Sequence, residues 1–439
     1  MRPGPTEGWI LAGSLDGAES RPELREDVCG MPYVLRIAAD LAHAGAKKVF
    51  VVWSGSSPAP SVDDLTTDVR LKGAALAVVA HPPAGNASDP ILVARADRIY
   101  HRDLPKLSVA AWKGSTAQLA RVSASAADAE QMTAMQGDYD AIVVTDRGRA
   151  TAMSTAAPRA GGLAAATSTS TIATSPPPYL GFSIPAADRP ALRRAEKRLV
   201  WSLRKQAQGI AAYWINRHIS LPVTRAIMRT SILPNHVTVF CFLLAVAGGI
   251  VIAQGGYLAG VIGMALVNLG SILDGVDGES ARLKYRFSNI GAWLDTLADD
   301  FGNVAYVTGI AINLHKAGVT WTTPLAITAL ACFALTQSTQ YFLITKVYKS
   351  GDLAAIPWAF QSNEFLTSRP EGFVAWVKAT LPKTLKRDFA LTMFVVFALI
   401  GRLDFILVVF SAGAIVFFVV FLIQLLRNLG SVRAQLKGR

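Results

Sequence analysis

From Pro234 onward the chain runs through six apolar segments, near 235–254, 257–280, 288–313, 321–346, 388–402 and 405–426. Most reach the roughly 20 residues an α-helix needs to cross a 30 Å hydrocarbon core. The expectation is an all-α bundle of six transmembrane helices over 234–430, with the fifth segment short. Composition agrees: 51% of the 439 residues are hydrophobic and only 17% are charged, where ordinary soluble proteins carry about 25% charged residues. Hydrophobicity this high also excludes disorder as the main state.

The charge excess, 43 basic against 31 acidic residues, gathers in alternate loops. Arg282, Lys284 and Arg286 lie between segments two and three. Lys346, Lys349, Lys378, Lys383, Lys386 and Arg387 surround the loop between four and five, and Arg427, Arg433, Lys437 and Arg439 follow the sixth. The opposite loops hold little beyond Lys316 and Arg402. The positive-inside rule then places both termini in the cytoplasm, in a multi-pass protein of the cytoplasmic (inner) membrane, and removes nucleic acid as the reason for the charge. Cys29, Cys241 and Cys332 are far apart and make neither a disulfide framework nor a zinc site. The first residues lead into a very short apolar run, so no cleaved signal peptide is expected.

Residues 1–149 have a different rhythm. Short β-branched runs at 9–12, 49–53, 76–80, 91–94 and 141–145 alternate with helical stretches, among them 32–46, which closes at Gly45. Such alternation predicts an α/β layer with a mostly parallel sheet. Residues 150–187 collapse into Ala, Thr, Ser, Gly and Pro, the composition of a linker. The stretch 188–233 interleaves Arg189, Arg193, Arg194, Lys197, Arg198, Arg204, Lys205, Arg217, Arg225 and Arg229 with apolar residues. It is expected to form amphipathic juxtamembrane helices resting on anionic lipid.

Four aspartates inside the apolar segments stand close together at helical spacings. Asp274 and Asp277 are three residues apart near the end of the second, and Asp295 and Asp299 are four apart near the start of the third. Each spacing keeps its pair on one helix face, and the two pairs share one end of adjacent helices. A charge at membrane depth costs about 3 kcal/mol even on lenient scales, so such residues are functional candidates. Divalent cations offset that cost, and all-carboxylate ligation suits Mg²⁺ or Mn²⁺ better than zinc. Gly278 and Gly291, each four residues from an acid, leave gaps where a flat group could approach. Arg282 offers a planar fork for a phosphate. Asp300 points about 100° away from Asp299 and is left out of the ligand set.

Read in order, Asp274, Asp277, Gly278, Ala281, Arg282, Gly291, Asp295 and Asp299 fill every fixed position of DxxDGxxAR(x8)GxxxDxxxD. The segment therefore resembles the signature of the CDP-alcohol phosphotransferase (CDP-alcohol phosphatidyltransferase) family. The resemblance implies a six-helix membrane enzyme in which an acceptor hydroxyl displaces CMP from a CDP-alcohol. It implies that Asp274, Asp277 and Asp295 hold divalent metal, Mg²⁺ or Mn²⁺ and two ions, and that Asp299 joins them and serves as general base. It also implies nucleotide contacts from Gly278, Ala281, Arg282 and Gly291. Ahead of the first segment, Pro234, Asn235 and Thr238 look like the family's PNxxT stretch beside the nucleotide. Dimers are common in the family, so a homodimer is expected.

The lead-in from Ala195 through Asn216 to Arg229 is similar to that of fused inositol-phosphate cytidylyltransferase/di-inositol-phosphate-phosphate synthases. This suggests CDP-diacylglycerol or CDP-inositol as donor and an alcohol or polyol phosphate as acceptor, in phospholipid or inositol-phosphate biosynthesis. In those enzymes the front domain makes the CDP-alcohol. Here Cys29, Gly30, Met31, Pro32 and Arg36 look like a nucleotidyltransferase scaffold, with Asp97 where a metal-binding aspartate stands. The phosphate loop, however, is replaced by residues 14–20, which carry Asp16 and Glu19. Acids repel a triphosphate, so a degenerate nucleotidyltransferase-like domain is expected. An active cytidylyltransferase front domain, and a non-enzymatic transporter or ion pathway built on the same acids, are the alternatives.

Overall fold

A computed structural model describes residues 5–12, 24–53, 59, 61–96, 98–111, 118–119, 143–147, 150–151, 183–185, 189–206, 215–348 and 387–427. The chain forms two compact units. The first comprises Met1–Lys205 with Leu283–Arg286, the second Gln206–Arg282 with Phe287–Arg439.

In the first unit, β1 (Glu7–Ala12), β2 (Lys48–Trp53), β3 (Ala75–Val79) and β4 (Pro90–Arg95) form a parallel sheet in the order β3-β2-β1-β4. Antiparallel strands β7 (Val143–Asp146) and β6 (Gln118–Leu119) extend it beyond β4. β1 lies centrally, and its Trp9 and Ile10 are fully buried, as expected of a parallel strand covered on both faces. The helix α1 (Tyr33–His43) connects β1 to β2. Pro32 sets its N-cap in extended backbone. Gly45, at φ +117°, turns the chain back where a β-carbon would be strained. All five expected strands, and the expected helix, are present within a residue or three of their predicted ends.

The carboxyl ends of β1 and β4 are neighbours, with Leu11 opposite Arg95. The strand order reverses there, and open α/β sheets bind ligands at such a point. Residues 14–20 follow β1 in the chain and Asp97 follows β4; both lie outside the described residues, as does most of the 150–187 linker. One piece of that linker, β8 (Ser183–Pro185), is a strand paired with β5 (Arg98–Tyr100). The helix α2 (Leu104–Ala111) follows β5.

The basic stretch divides differently from the expectation. Its first helix, α3 (Arg189–Ser202), belongs to the first unit and buries Ala191, Leu192, Ala195, Leu199 and Val200 there. Glu196 is buried with them and accepts the Cys29 N–H at 3.0 Å. Protein, not lipid, therefore covers the apolar face of this helix, while Arg193, Arg194, Lys197 and Arg198 stay exposed. The first unit also encloses Tyr285, held at φ +54°. Its hydroxyl donates to the fully buried Asp40, its ring meets His43 edge-on at 5.0 Å, and Arg36 donates to the Leu283 carbonyl.

The second unit is helical: α4 (Arg217–Ile227), α5 (Pro234–Ala253), α6 (Tyr257–Lys284), α7 (Asn289–Lys316), α8 (Thr322–Phe342), α9 (Arg387–Leu399) and α10 (Leu403–Arg427). Four of these, α5, α6, α8 with its π-helical extension, and α10, are long and apolar enough to cross a membrane. The acids of α7 and the 13 residues of α9 keep these two out of that class. Glycines let the helices touch backbone to backbone. A β-carbon on Gly249 would stand 2.6 Å from the Ala305 carbonyl oxygen, and one on Gly309 2.3 Å from that of Gly249. The core beneath gathers Ile252, Val307, Ile310, Ile406 and Leu407, all fully buried.

Candidate functional site

The acids reach their places through helix periodicity. Asp274 and Asp277 lie one turn apart on α6, and Asp295 lies on α7, whose first turn is capped by the Ser288 hydroxyl accepting from the Gly291 N–H. One carboxylate oxygen from each of Asp274, Asp277 and Asp295 lies within 4.8 Å of the others, and all three residues are half-buried. An octahedral Mg²⁺ holds its ligands at about 2.1 Å, so opposite ligands stand about 4.2 Å apart. The three oxygens are thus near the spacing one ion imposes, and all are hard donors. The residues present fit a divalent cation.

Asp299 does not belong to that group of three. Its carboxylate is ion-paired with Arg387 at the start of α9. Asp300 is separate too: its carboxylate accepts from Gln337 at 2.6 Å and from Tyr341, both on α8. Tyr341 in turn packs against Trp293 at 5.6 Å.

The residues expected to contact nucleotide cluster around the same acids, partly as partners of one another. Thr238, buried on the first turns of α5, donates to Asp277 and so aims a candidate ligand. The gap at Gly291 is filled by Asn235: a β-carbon there would lie 2.7 Å from Asn235 Oδ1. The gap at Gly278 is lined by Arg282, whose Nη1 would stand 3.3 Å from a β-carbon. Pro234 is the first residue of α5, where its missing N–H costs nothing. Ala281 is half-buried on α6 one residue before Arg282.

Two participants escaped the sequence reading. Arg387, expected among the loop charges, starts α9 and meets Asp299; its place immediately before an apolar run is the available signal. Glu279, a third acid in the segment that carries Asp274 and Asp277, is fully buried and ion-paired with Arg217 of α4. Its charge at that depth was the signal available.

Residues 231–417 match the family described as CDP-alcohol phosphatidyltransferase. Over 125 residues the chain is 30% identical to the bifunctional IPC transferase and DIPP synthase of Aquifex aeolicus, covering 28% of either chain. The protein of that name from Thermococcus kodakarensis is 31% identical over 121 residues, 27% of either chain. The phosphatidylinositol phosphate synthase of Cutibacterium acnes is 34% identical over 116 residues, 26% of this chain and 52% of that one. The matched stretch thus spans little more than a quarter of the length of these two bifunctional relatives.

Proposed function

We propose that the chain, whose residues 231–417 match the CDP-alcohol phosphatidyltransferase family, transfers the alcohol-bearing phosphate of a CDP-alcohol to an acceptor hydroxyl, releasing CMP. The observation that carries this reading is the meeting of three carboxylates from two apolar helices within 4.8 Å. A passive bundle has no use for uncompensated acids at that depth.

Asp274, Asp277 and Asp295 are the residues that would hold Mg²⁺ or Mn²⁺, two ions when the diphosphate is in place. Bound there, the metal would neutralise the diphosphate and stabilise CMP as it leaves. Thr238 fixes the direction of the Asp277 carboxylate. Arg282, Asn235 and the backbone at Gly278 and Gly291 supply the contacts for the nucleotide. Asp299 takes the proton of the acceptor hydroxyl while that oxygen attacks phosphorus. The new P–O bond forms as the bond to CMP breaks, and the proton stays on the Asp299 carboxyl until solvent removes it. Arg387 keeps the Asp299 carboxylate in one orientation.

For substrates, the relatives' names favour inositol chemistry: CDP-diacylglycerol or CDP-inositol as donor, and an inositol phosphate or a related alcohol as acceptor. The acids in residues 14–20 favour a first unit that no longer transfers nucleotides. The six helices α5 to α10 each cross the membrane, with both termini in the cytoplasm of a homodimer in the inner membrane.

The test uses full-length protein in nanodiscs with Mg²⁺, offered CDP-inositol or CDP-diacylglycerol together with inositol phosphate. CMP release is followed and the products are identified by mass spectrometry. Release with either donor, lost in Asp299→Ala, is the expected result. A protein that releases no CMP from any CDP-alcohol overturns the proposal, and an active Asp299→Ala variant removes the base.

A further inference from the structure

The face of α6 that turns away from the metal cluster carries a second charged arrangement, and nothing in the proposed chemistry uses it. Glu279 lies five residues after Asp274 and two after Asp277. At 100° per residue that is about 140° and about 200° around the helix, on the opposite side. Its side chain is fully buried and both oxygens are occupied. Oε1 accepts from Arg217 and, at 2.7 Å, from the Ser220 hydroxyl; Oε2 accepts from the Thr224 hydroxyl. Positions 217, 220 and 224 form one stripe of α4, since spacings of three and four share a helix face. One turn before Glu279, Gly275 leaves room for the guanidinium: a β-carbon there would lie 3.3 Å from Arg217 Nη1.

Burying an ion pair is a poor way to gain stability, because desolvation cancels most of the attraction; apolar residues of the same volume serve as well or better. What a carboxylate with three fixed donors supplies is direction. An aspartate oxygen sits about 6 Å from the helix axis, given a Cα radius of about 2.3 Å plus the side chain. A 20° roll of α6 would therefore carry the Asp274 and Asp277 carboxylates about 2 Å sideways, as far as a whole metal–oxygen bond, and Mg²⁺ demands near-ideal geometry.

We propose that Glu279, clasped by Arg217, Ser220 and Thr224, is a positioning residue that fixes the roll of α6 and thereby the metal-binding geometry of Asp274 and Asp277. It acts through those aspartates and touches neither metal nor substrate. The inference rests on the metal reading of the site given above.

The experiment measures Mn²⁺ binding to the full-length protein in nanodiscs, without substrate, from the loss of the free-ion electron paramagnetic resonance signal. Glu279→Gln is expected to bind Mn²⁺ about tenfold more weakly or worse, as residues that orient metal ligands do. Thr224→Val, which keeps the ion pair and deletes one hydrogen bond, is expected to lose about threefold, and carries the test should Glu279→Gln fail to fold. Asn313→Ala is the control: it removes the bonds from Asn313 to the Ile252 and Gly256 carbonyls and should lower thermal stability with Mn²⁺ affinity unchanged. In turnover, Glu279→Gln should raise the Mg²⁺ concentration at half-maximal rate far more than it lowers kcat at saturating Mg²⁺. Wild-type affinity in both Glu279→Gln and Thr224→Val overturns the inference, and so does an equal loss in Asn313→Ala. A wild-type protein with no Mn²⁺ binding sensitive to Asp277→Asn overturns the metal reading itself, and this inference with it.

Discussion

Among the described residues, each unit buries one carboxylate completely, Asp40 in the first and Glu279 in the second, but the two are provided for unequally. Asp40 receives one hydroxyl, from Tyr285, with Arg36 nearby, and burial pushes its carboxyl up to about 7. Glu279 receives a guanidinium and two hydroxyls, enough donors for both of its oxygens. The difference teaches that burial alone does not decide how a carboxylate is held; the number of donors aimed at it does. The first unit accommodates its acid by favouring the neutral form. The second surrounds Glu279 with fixed partners, and holds Asp274, Asp277 and Asp295 close enough to share an ion.

Substitutions can break or sharpen this contrast. The largest effect is expected from Asp277→Asn, which should lower Mg²⁺-dependent CMP release on the order of 10³-fold, read by single-turnover kinetics. Next is Glu279→Ala, which leaves the half-buried Arg217 charge without its main partner. A loss of about 3 kcal/mol is expected in nanodisc unfolding experiments, with much of it recovered in the Arg217→Leu/Glu279→Leu double variant. A stable Glu279→Ala protein would show that the second unit does not depend on those donors.

The first unit should respond to pH instead. A carboxyl raised from 3.8 to about 7 gives stability that is full below pH 4 and is lost as pH rises through 7. His101, lowered by burial from 6.5 to about 4, gives stability that is present above pH 6.5 and is lost as pH falls through 4. Between pH 4 and 6.5 the two slopes oppose each other, so the wild-type unit should be nearly flat there. Asp40→Asn removes the falling arm, leaving a gain with pH of about 1 kcal/mol per unit at most. Hydrogen exchange of α1 amides, corrected for intrinsic rates, measures this. An unchanged profile would place the pH sensitivity elsewhere. The smallest effect is expected at Gly249→Ala, where the added methyl meets the Ala305 backbone. A loss of about 1 kcal/mol or slightly more is expected from overpacking, read as a lower melting temperature.

Much of the fold could be read in advance because the two solvents leave different periods in the sequence. The strands at 9–12 and 49–53 announced themselves by β-branched runs, and α5 and α10 by length and apolarity alone. The basic helix α3 misled because amphipathicity reports that a face is covered, not by what. Lipid and the protein's own first unit both satisfy Ala191, Leu192 and Leu199. The candidate site was legible as a pattern of acids, yet its partners were not: Asp299 is met by Arg387, a side chain 88 residues away in the sequence.

The sequence by itself determined that acids stand on apolar helices at spacings of three and four, because helix geometry converts those spacings into shared faces without help from the rest of the chain. Tertiary structure alone decided which carboxylates converge, which meets Arg387, and that Glu279 faces Arg217. These depend on how neighbouring helices are rolled and how closely Gly249 and Gly309 let backbones approach, and local periodicity carries no record of either.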